Sequence, residues 1–222
     1  MCGRFTLTVD SSQLQEALPW LTIPEGVEPR YNIAPSQPVA VVPNDGKNRL
    51  DFFIWGLVPS WAKDPQIGNR MINARAETLA EKPAFRAAFR RRRCLILADG
   101  FYEWRKVNGG AKAPMYVRLN SGKPFAFAGL WEIWHSPDGS TLLSTTIITT
   151  PPNRMMADIH NRMPAILPEE TYGIWLSPEE QDPKQLSELL KPYPEKEMIA
   201  YPVSKFVNSP ANESAECIDP LA

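Results

Sequence analysis

The 222 residues carry 24 basic and 25 acidic side chains, a net charge of −1, which excludes a uniformly cationic nucleic-acid coat and leaves only a local basic groove open. A hydrophobic content of 43%, with seven Trp and nine Phe, excludes a disordered chain and suffices for one substantial core. Cys2, Cys94 and Cys217 have neither disulfide-framework nor zinc spacing, and no apolar run is long enough to span a bilayer, so a cytoplasmic, cofactor-free and metal-free protein with no membrane partner is expected.

Twenty-three prolines spread along the chain predict many short elements joined by ordered turns. In chain order, residues 11–18 (SSQLQEAL) predict a helix that starts on serine caps and stops at Pro19. RYNIAPSQ at 30–37, with Asn32 and Pro35, reads as a turn-type segment. VAVVP at 39–43 and LDFFIWGL at 50–57 read as strands, and 83–92 as a helix opening on Pro83. From 94 to 149 the runs CLILADG, FYEWRKV, PMYVRLN, FAFAGLWEIW and TLLSTTIIT predict consecutive antiparallel strands, with KVNGGAKAP, LNSGKP and HSPDGST as hairpin connections. Short helices follow at 151–158, 168–175 and 183–190, and MIAYPVS at 198–204 is a last strand. The fold class is α+β: a β-rich, mostly antiparallel, partly closed, barrel-like sheet core with short peripheral helices.

Several residues carry chemistry beyond what packing needs. Loss of Met1 would leave Cys2 with a free α-amine and a thiol on adjacent carbons, a 1,2-aminothiol able to condense with an aldehyde and close a thiazolidine ring. Arg86 and Arg90 to Arg93 cluster at the end of a helix, where cations suit the helix dipole or contact phosphate. Strand alternation in ADGFYEW sends Phe101, Glu103 and Arg105 to one face and Tyr102 and Trp104 to the other. Glu103 then either faces solvent or is a functional carboxylate, because an unpaired one on the core side is costly. ADIHNRMP carries Asp158, His160 and Arg162; His160, one of two histidines with His135, is a cap, a surface residue or a proton-transfer group. Trp104, Trp131 and Trp134 lie in central-looking strands and are expected in the core, whereas Trp61, in PSWAK, is expected to be exposed.

Taken together, MCGRF, RYNIAPSQ, WGLVPSWAKD, MINARAET, ADGFYEW and IHNRMPAIL, with YPVSKFVNSP near the end, resemble the SOS-response-associated peptidase (SRAP) family of abasic-site shielding proteins. Asn161 stands where the family usually has aspartate, and TTPPNRMM has prolines where small residues are common. The resemblance covers residue 1 to about 208 of what is expected to be one domain, leaving 209–222 as a tail. It implies a monomer that binds single-stranded DNA containing abasic sites, nucleoid-associated when bound. It further implies a covalent link to the abasic sugar through Cys2, with Asn73, Glu103 and His160 as its companions. By the same resemblance His160 serves the proton traffic that opens the sugar to its aldehyde, Glu103 orients the α-amine and accepts its proton, and Asn73 offers a neutral hydrogen bond. Arg4, Arg75 and Arg162 are then the phosphate contacts, Thr149 a hydroxyl donor, Asn32 a further DNA contact, and Trp61 a flat face for a base. Autopeptidase and AP-lyase-type chemistry are further activities that the resemblance allows. Two rival readings use the same residues: a cysteine peptidase acting through Cys2, and a non-covalent single-strand binder in which Cys2 is incidental.

Overall fold

A computed structural model describes residues 2–107 and 109–221. Its strands are β1 (Phe5–Leu7), β2 (Arg30–Ile33), β3 (Pro38–Pro43), β4 (Asp51–Trp55), β5 (Asn73–Arg75), β6 (Arg93–Ala98), β7 (Gly100–Lys106), β8 (Lys112–Leu119), β9 (Phe125–His135), β10 (Thr141–Thr150), β11 (Met163–Pro164), β12 (Ile166–Leu167) and β13 (Met198–Pro202). β10, β4, β3, β6 and β9 hydrogen-bond in that order, and β9 pairs back onto β10, so five strands close a barrel. A second, open sheet runs β13-β8-β7-β1-β2. Phe5, Trp55, Phe101 and Phe127 are among the side chains of a core shared by the two sheets, with edge-to-face ring contacts of 5.1–6.0 Å between them. The α+β, β-rich, barrel-like architecture expected from the sequence is the one observed.

The long strand β10 positions the site. Its first half pairs antiparallel with β9 and, at Ser144 and Thr145, parallel with β4. Its second half takes β5 in parallel register on one edge, Thr149 opposite Arg75, and β11 antiparallel on the other, Thr149 opposite Pro164. Two segments far apart in sequence are thereby held a strand's width either side of Thr149.

The passage from barrel to open sheet falls at Asp99, between β6 and β7. Its carboxylate accepts from the Thr6 hydroxyl and from both the Thr8 amide and hydroxyl, each at 2.5 Å, and so pins β1 beside β7. Next to it only glycine fits, since a Cβ on Gly100 would lie 2.1 Å from the Tyr116 hydroxyl oxygen.

Local departures from expectation have identifiable causes. The first helix, Ser11–Ala17, is capped not by serine but by Asp10, which forms a reciprocal capping box with Gln13, while the Ser11 hydroxyl turns to the Pro24 carbonyl. The helix expected from Pro83 begins at Arg86, and the one expected over 151–158 is the single turn Arg154–Ala157, capped by Asn153. RYNI forms β2 rather than a turn. LNSGKP is a crossover between the sheets rather than a hairpin, since β8 pairs with β7 and β13 while β9 pairs with β6, β10 and β12.

The segment after residue 208 is not a loose tail. Cys217 is fully buried in a second core with Tyr102, Tyr116, Val203 and Val207, and Val203 bridges to Pro220. The Glu213 carboxylate accepts the amides of Tyr31 and Asn32 and pairs with Arg30 at 3.1 Å. Among the described residues no helix is long and apolar enough to cross a membrane.

Candidate active site

Cys2 leads directly into β1, whose antiparallel register with β7 sets Phe5 opposite Phe101 and Thr6 opposite Gly100. Continued toward the terminus, with the Tyr102 amide donating to the Arg4 carbonyl at 3.0 Å, that register carries the Cys2 end alongside Glu103. On β5, the Asn73 side-chain amide donates to the Cys2 carbonyl at 2.7 Å, and its Oδ1 is buried with no hydrogen-bond partner among the described residues. His160 sits between the turn Arg154–Ala157 and β11, on the opposite edge of β10 from Asn73, and interacts electrostatically with Glu103. Cys2, Asn73, Glu103 and His160 thus converge on one place from four separate parts of the chain.

The electrostatics of this place are those of a dry pocket. Cys2 is fully buried, and burial, reinforced by the Glu103 charge, pushes its thiol well above the ordinary range, so the sulfur stays protonated. Burial also raises the Glu103 carboxyl, which is only 3% exposed, while His160 pulls it the other way. Of the two alternatives left open for Glu103, the solvent-facing one is excluded. The Arg162 amide donates to His160 Nδ1 at 3.0 Å and so ties one side of the ring to its own loop.

The expected DNA contacts separate into two groups. Trp61 is 60% exposed and Arg75 is exposed, as free contacts must be. Asn32 is fully buried: its amide donates to the carbonyls of Val207, Ser209 and Asn212, and its oxygen accepts Arg4 at 2.6 Å, so its side chain braces the C-terminal segment. Thr149 is likewise fully buried, its hydroxyl lying 3.4 Å from the Ala74 carbonyl, and offers no donor to the surface. Arg4 is 9% exposed, bonded to Asn32 and the Val207 carbonyl and stacked 5.9 Å from the Trp104 ring centroid. Arg162 is engaged by Glu77 and the Thr149 carbonyl.

A cleft of about 440 Å³ opens beside His160 and is lined by Trp104, Lys106, Lys112, Ala157, Asp158, Ile159, His160 and Asn161. Sequence reading assigned Trp104 to the core, but it is half-buried and its indole donates to Asn208 at 2.9 Å, leaving it as a wall of this cleft. Lys106 and Lys112 lie directly opposite each other in the β7–β8 hairpin. Their placement at the two ends of KVNGGAK was the available signal. A larger cavity of about 940 Å³, lined by Trp20, Tyr172, Leu176 and others, shares no residue with this site.

A buried cysteine thiol at the head of an open-sheet strand, backed by a carboxylate, an amide and an imidazole, sets the class to which comparison with known proteins can be put. Residues 1–210 match the family described as SOS response associated peptidase (SRAP), and the chain belongs to that family. It is 51% identical to the abasic site processing protein YoqW of Bacillus subtilis (strain 168), covering 99% of both chains. It is 32% identical to the abasic site processing protein HMCES of Rattus norvegicus, covering 99% of this chain and 76% of that one. Among solved structures, a protein from Bacteroides thetaiotaomicron superposes over all of both chains with a TM-score of 0.89 at 26% identity.

Proposed function

We propose that this chain processes abasic sites in single-stranded DNA by linking itself to them covalently through Cys2. The observation that carries the reading is the convergence of Asn73, Glu103 and His160 on Cys2; the printed names of its relatives, abasic site processing proteins, agree with it.

The chemistry begins with loss of Met1, which frees the Cys2 α-amine. The His160 imidazole donates a proton to the ring oxygen of the closed abasic sugar while a base removes the C1′ hydroxyl proton, opening the ring to the aldehyde. The amine adds to the aldehyde carbon, Glu103 takes a proton from the adding nitrogen and returns it to the departing hydroxyl, and water leaves, giving an imine. The Cys2 sulfur then bonds to the imine carbon as its proton passes to the nitrogen, and the thiazolidine closes. Because amine and thiol share one residue, ring closure is intramolecular and outruns β-elimination of the strand. The raised thiol suits this order, since a protonated sulfur does not compete with the amine for the aldehyde. It suits a thiolate peptidase poorly, which needs the opposite shift. Asn73 holds the Cys2 carbonyl and offers Oδ1 to the freed amine or a sugar hydroxyl.

The strand is held by the cleft beside His160. Lys106 and Lys112 are like charges directly opposed across a hairpin, an arrangement that costs stability until an anion sits between them. Arg75 adds a phosphate contact and Trp61 and Trp104 offer stacking faces. The test is to mix the protein with single-stranded DNA bearing one abasic site, denature in SDS and look for a slow band. The expected result is a cross-link absent from Cys2→Ala; an equally strong band in that variant, or peptide hydrolysis with no adduct, would sink the reading.

A further inference from the structure

Arg162 is tied within the protein. Its side chain is 13% exposed and grips the Glu77 carboxylate in a two-pronged pair, Nη1 to Oε1 at 2.5 Å and Nη2 to Oε2 at 2.9 Å, while Nη2 also donates to the Thr149 carbonyl at 2.5 Å. Glu77 lies two residues past β5, the strand that carries Asn73, and Arg162 lies one residue before β11, in the loop that carries His160. These two elements flank the end of β10 on opposite edges. The ion pair therefore crosses over β10 and ties the Asn73 side of the site to the His160 side. The same Arg162 residue sets the imidazole through its backbone, whose N–H donates to Nδ1 at 3.0 Å.

We infer that Glu77 is a positioning residue of this site: by clamping the Arg162 fork it holds the loop in which the Arg162 backbone, hydrogen-bonded to Nδ1, sets the angle of the His160 ring. The inference rests on the reading above for what the imidazole does, but not for where it is held. Three features favour the clamp over an idle surface pair. The fork is bidentate, which fixes direction as well as distance. The guanidinium is nearly buried, so releasing it without a partner is costly. And the contact holds the Glu77 carboxyl below the usual carboxylate range, chiefly through the hydrogen bond from Arg162. Glu77 itself is half exposed and touches neither Cys2 nor Glu103 among the described contacts. It acts through Arg162.

The test compares the parent with Glu77→Gln, which keeps the shape and loses the charge. At saturating abasic DNA the cross-linking rate is expected to fall about tenfold, while affinity for undamaged single-stranded DNA stays within twofold. A rate within twofold of the parent overturns the inference, and so does a loss of rate matched by an equal loss of DNA affinity. A second readout does not depend on the reaction. The chain has two histidines, His135 and His160, so their ring NMR signals can be assigned with a single His160→Gln control. In Glu77→Gln the His160 signals should shift or broaden as the ring loses its hold, with His135 unmoved. Unchanged His160 signals overturn the inference. If the parent forms no cross-link at all, the proposed function fails and the histidine spectrum alone decides the clamp.

Discussion

The side-chain amide of Asn73 donates to the main-chain carbonyl of Cys2 at 2.7 Å, joining residues 71 apart in sequence. A single neutral bond thus sets the position of the Cys2 backbone. Asn73→Ala removes it. The net loss for such a bond is about 1 kcal/mol, roughly 2–4 °C in Tm for a chain of this size. The cross-linking rate at saturating DNA should fall about tenfold or more. Thermal melts and quenched time courses on one preparation separate the two effects, and a lowered Tm with an unchanged rate would leave Asn73 a structural tie alone.

Glu103 gives a pH signature with a definite sign. Burial, opposed by His160, holds its carboxyl above the usual range, so the folded chain binds this proton more tightly than the unfolded one. Stability from the group is full below the unfolded value of about 4.3 and is lost as pH rises through the folded value. Glu103→Gln is neutral throughout and should gain on the parent in urea midpoint as pH climbs from about 4 toward neutrality. If the parent gained on the variant over that range, the carboxyl would be stabilised as an anion and the assignment of its environment would be wrong.

Asn32 carries the opposite kind of expectation from the one its motif suggests. Asn32→Ala removes the acceptor for one Arg4 bond and the donor shared by the carbonyls of Val207, Ser209 and Asn212. That should cost about 2–4 kcal/mol. Hydrogen exchange should show faster amides across 204–221 before the barrel strands change; uniform acceleration throughout the chain would contradict a local brace.

The strand-binding cleft can be dissected by salt. Trp61→Ala, at a site 60% exposed, should leave Tm unchanged and weaken single-strand binding by about 1–3 kcal/mol with the same salt slope. Lys112→Ala should instead lower the slope of log K against log salt by about 0.7, with no loss of Tm because it relieves the repulsion from Lys106. Equal slopes for parent and Lys112→Ala would remove the lysine pair from the DNA path.

The barrel was largely legible in the sequence because its strands are long, apolar and rich in β-branched residues, as in TLLSTTIITT, where pattern and propensity agree. The strands that build the site were not. β1, β5 and β11 have two or three residues each, too few for any period to show, and they are strands only because β7 and β10 offer them an edge. Residue type likewise announced chemistry without announcing burial. Arg4, Asn32 and Thr149 have the right atoms for DNA, yet tertiary packing turns all three inward. For Glu103, alternation left two faces to choose from, and only the placement of β1 against β7 decides between them. The C-terminal stretch SPANESAE is polar enough to read as a tail; what holds it is Glu213 reaching amides 181 and 182 residues away, which no local pattern encodes.

That reach has a consequence for how the molecule behaves among its own copies. β2 is the outermost strand of the open sheet, and an outermost strand presents N–H groups to which a stray strand can add. The Glu213 carboxylate takes two of those donors, at Tyr31 and Asn32, and brings a negative charge to the rim. Glu213 near one end of the chain and Cys2 at the other are thereby joined through a single strand, since β2 pairs with β1, and β1 carries Cys2 at its head.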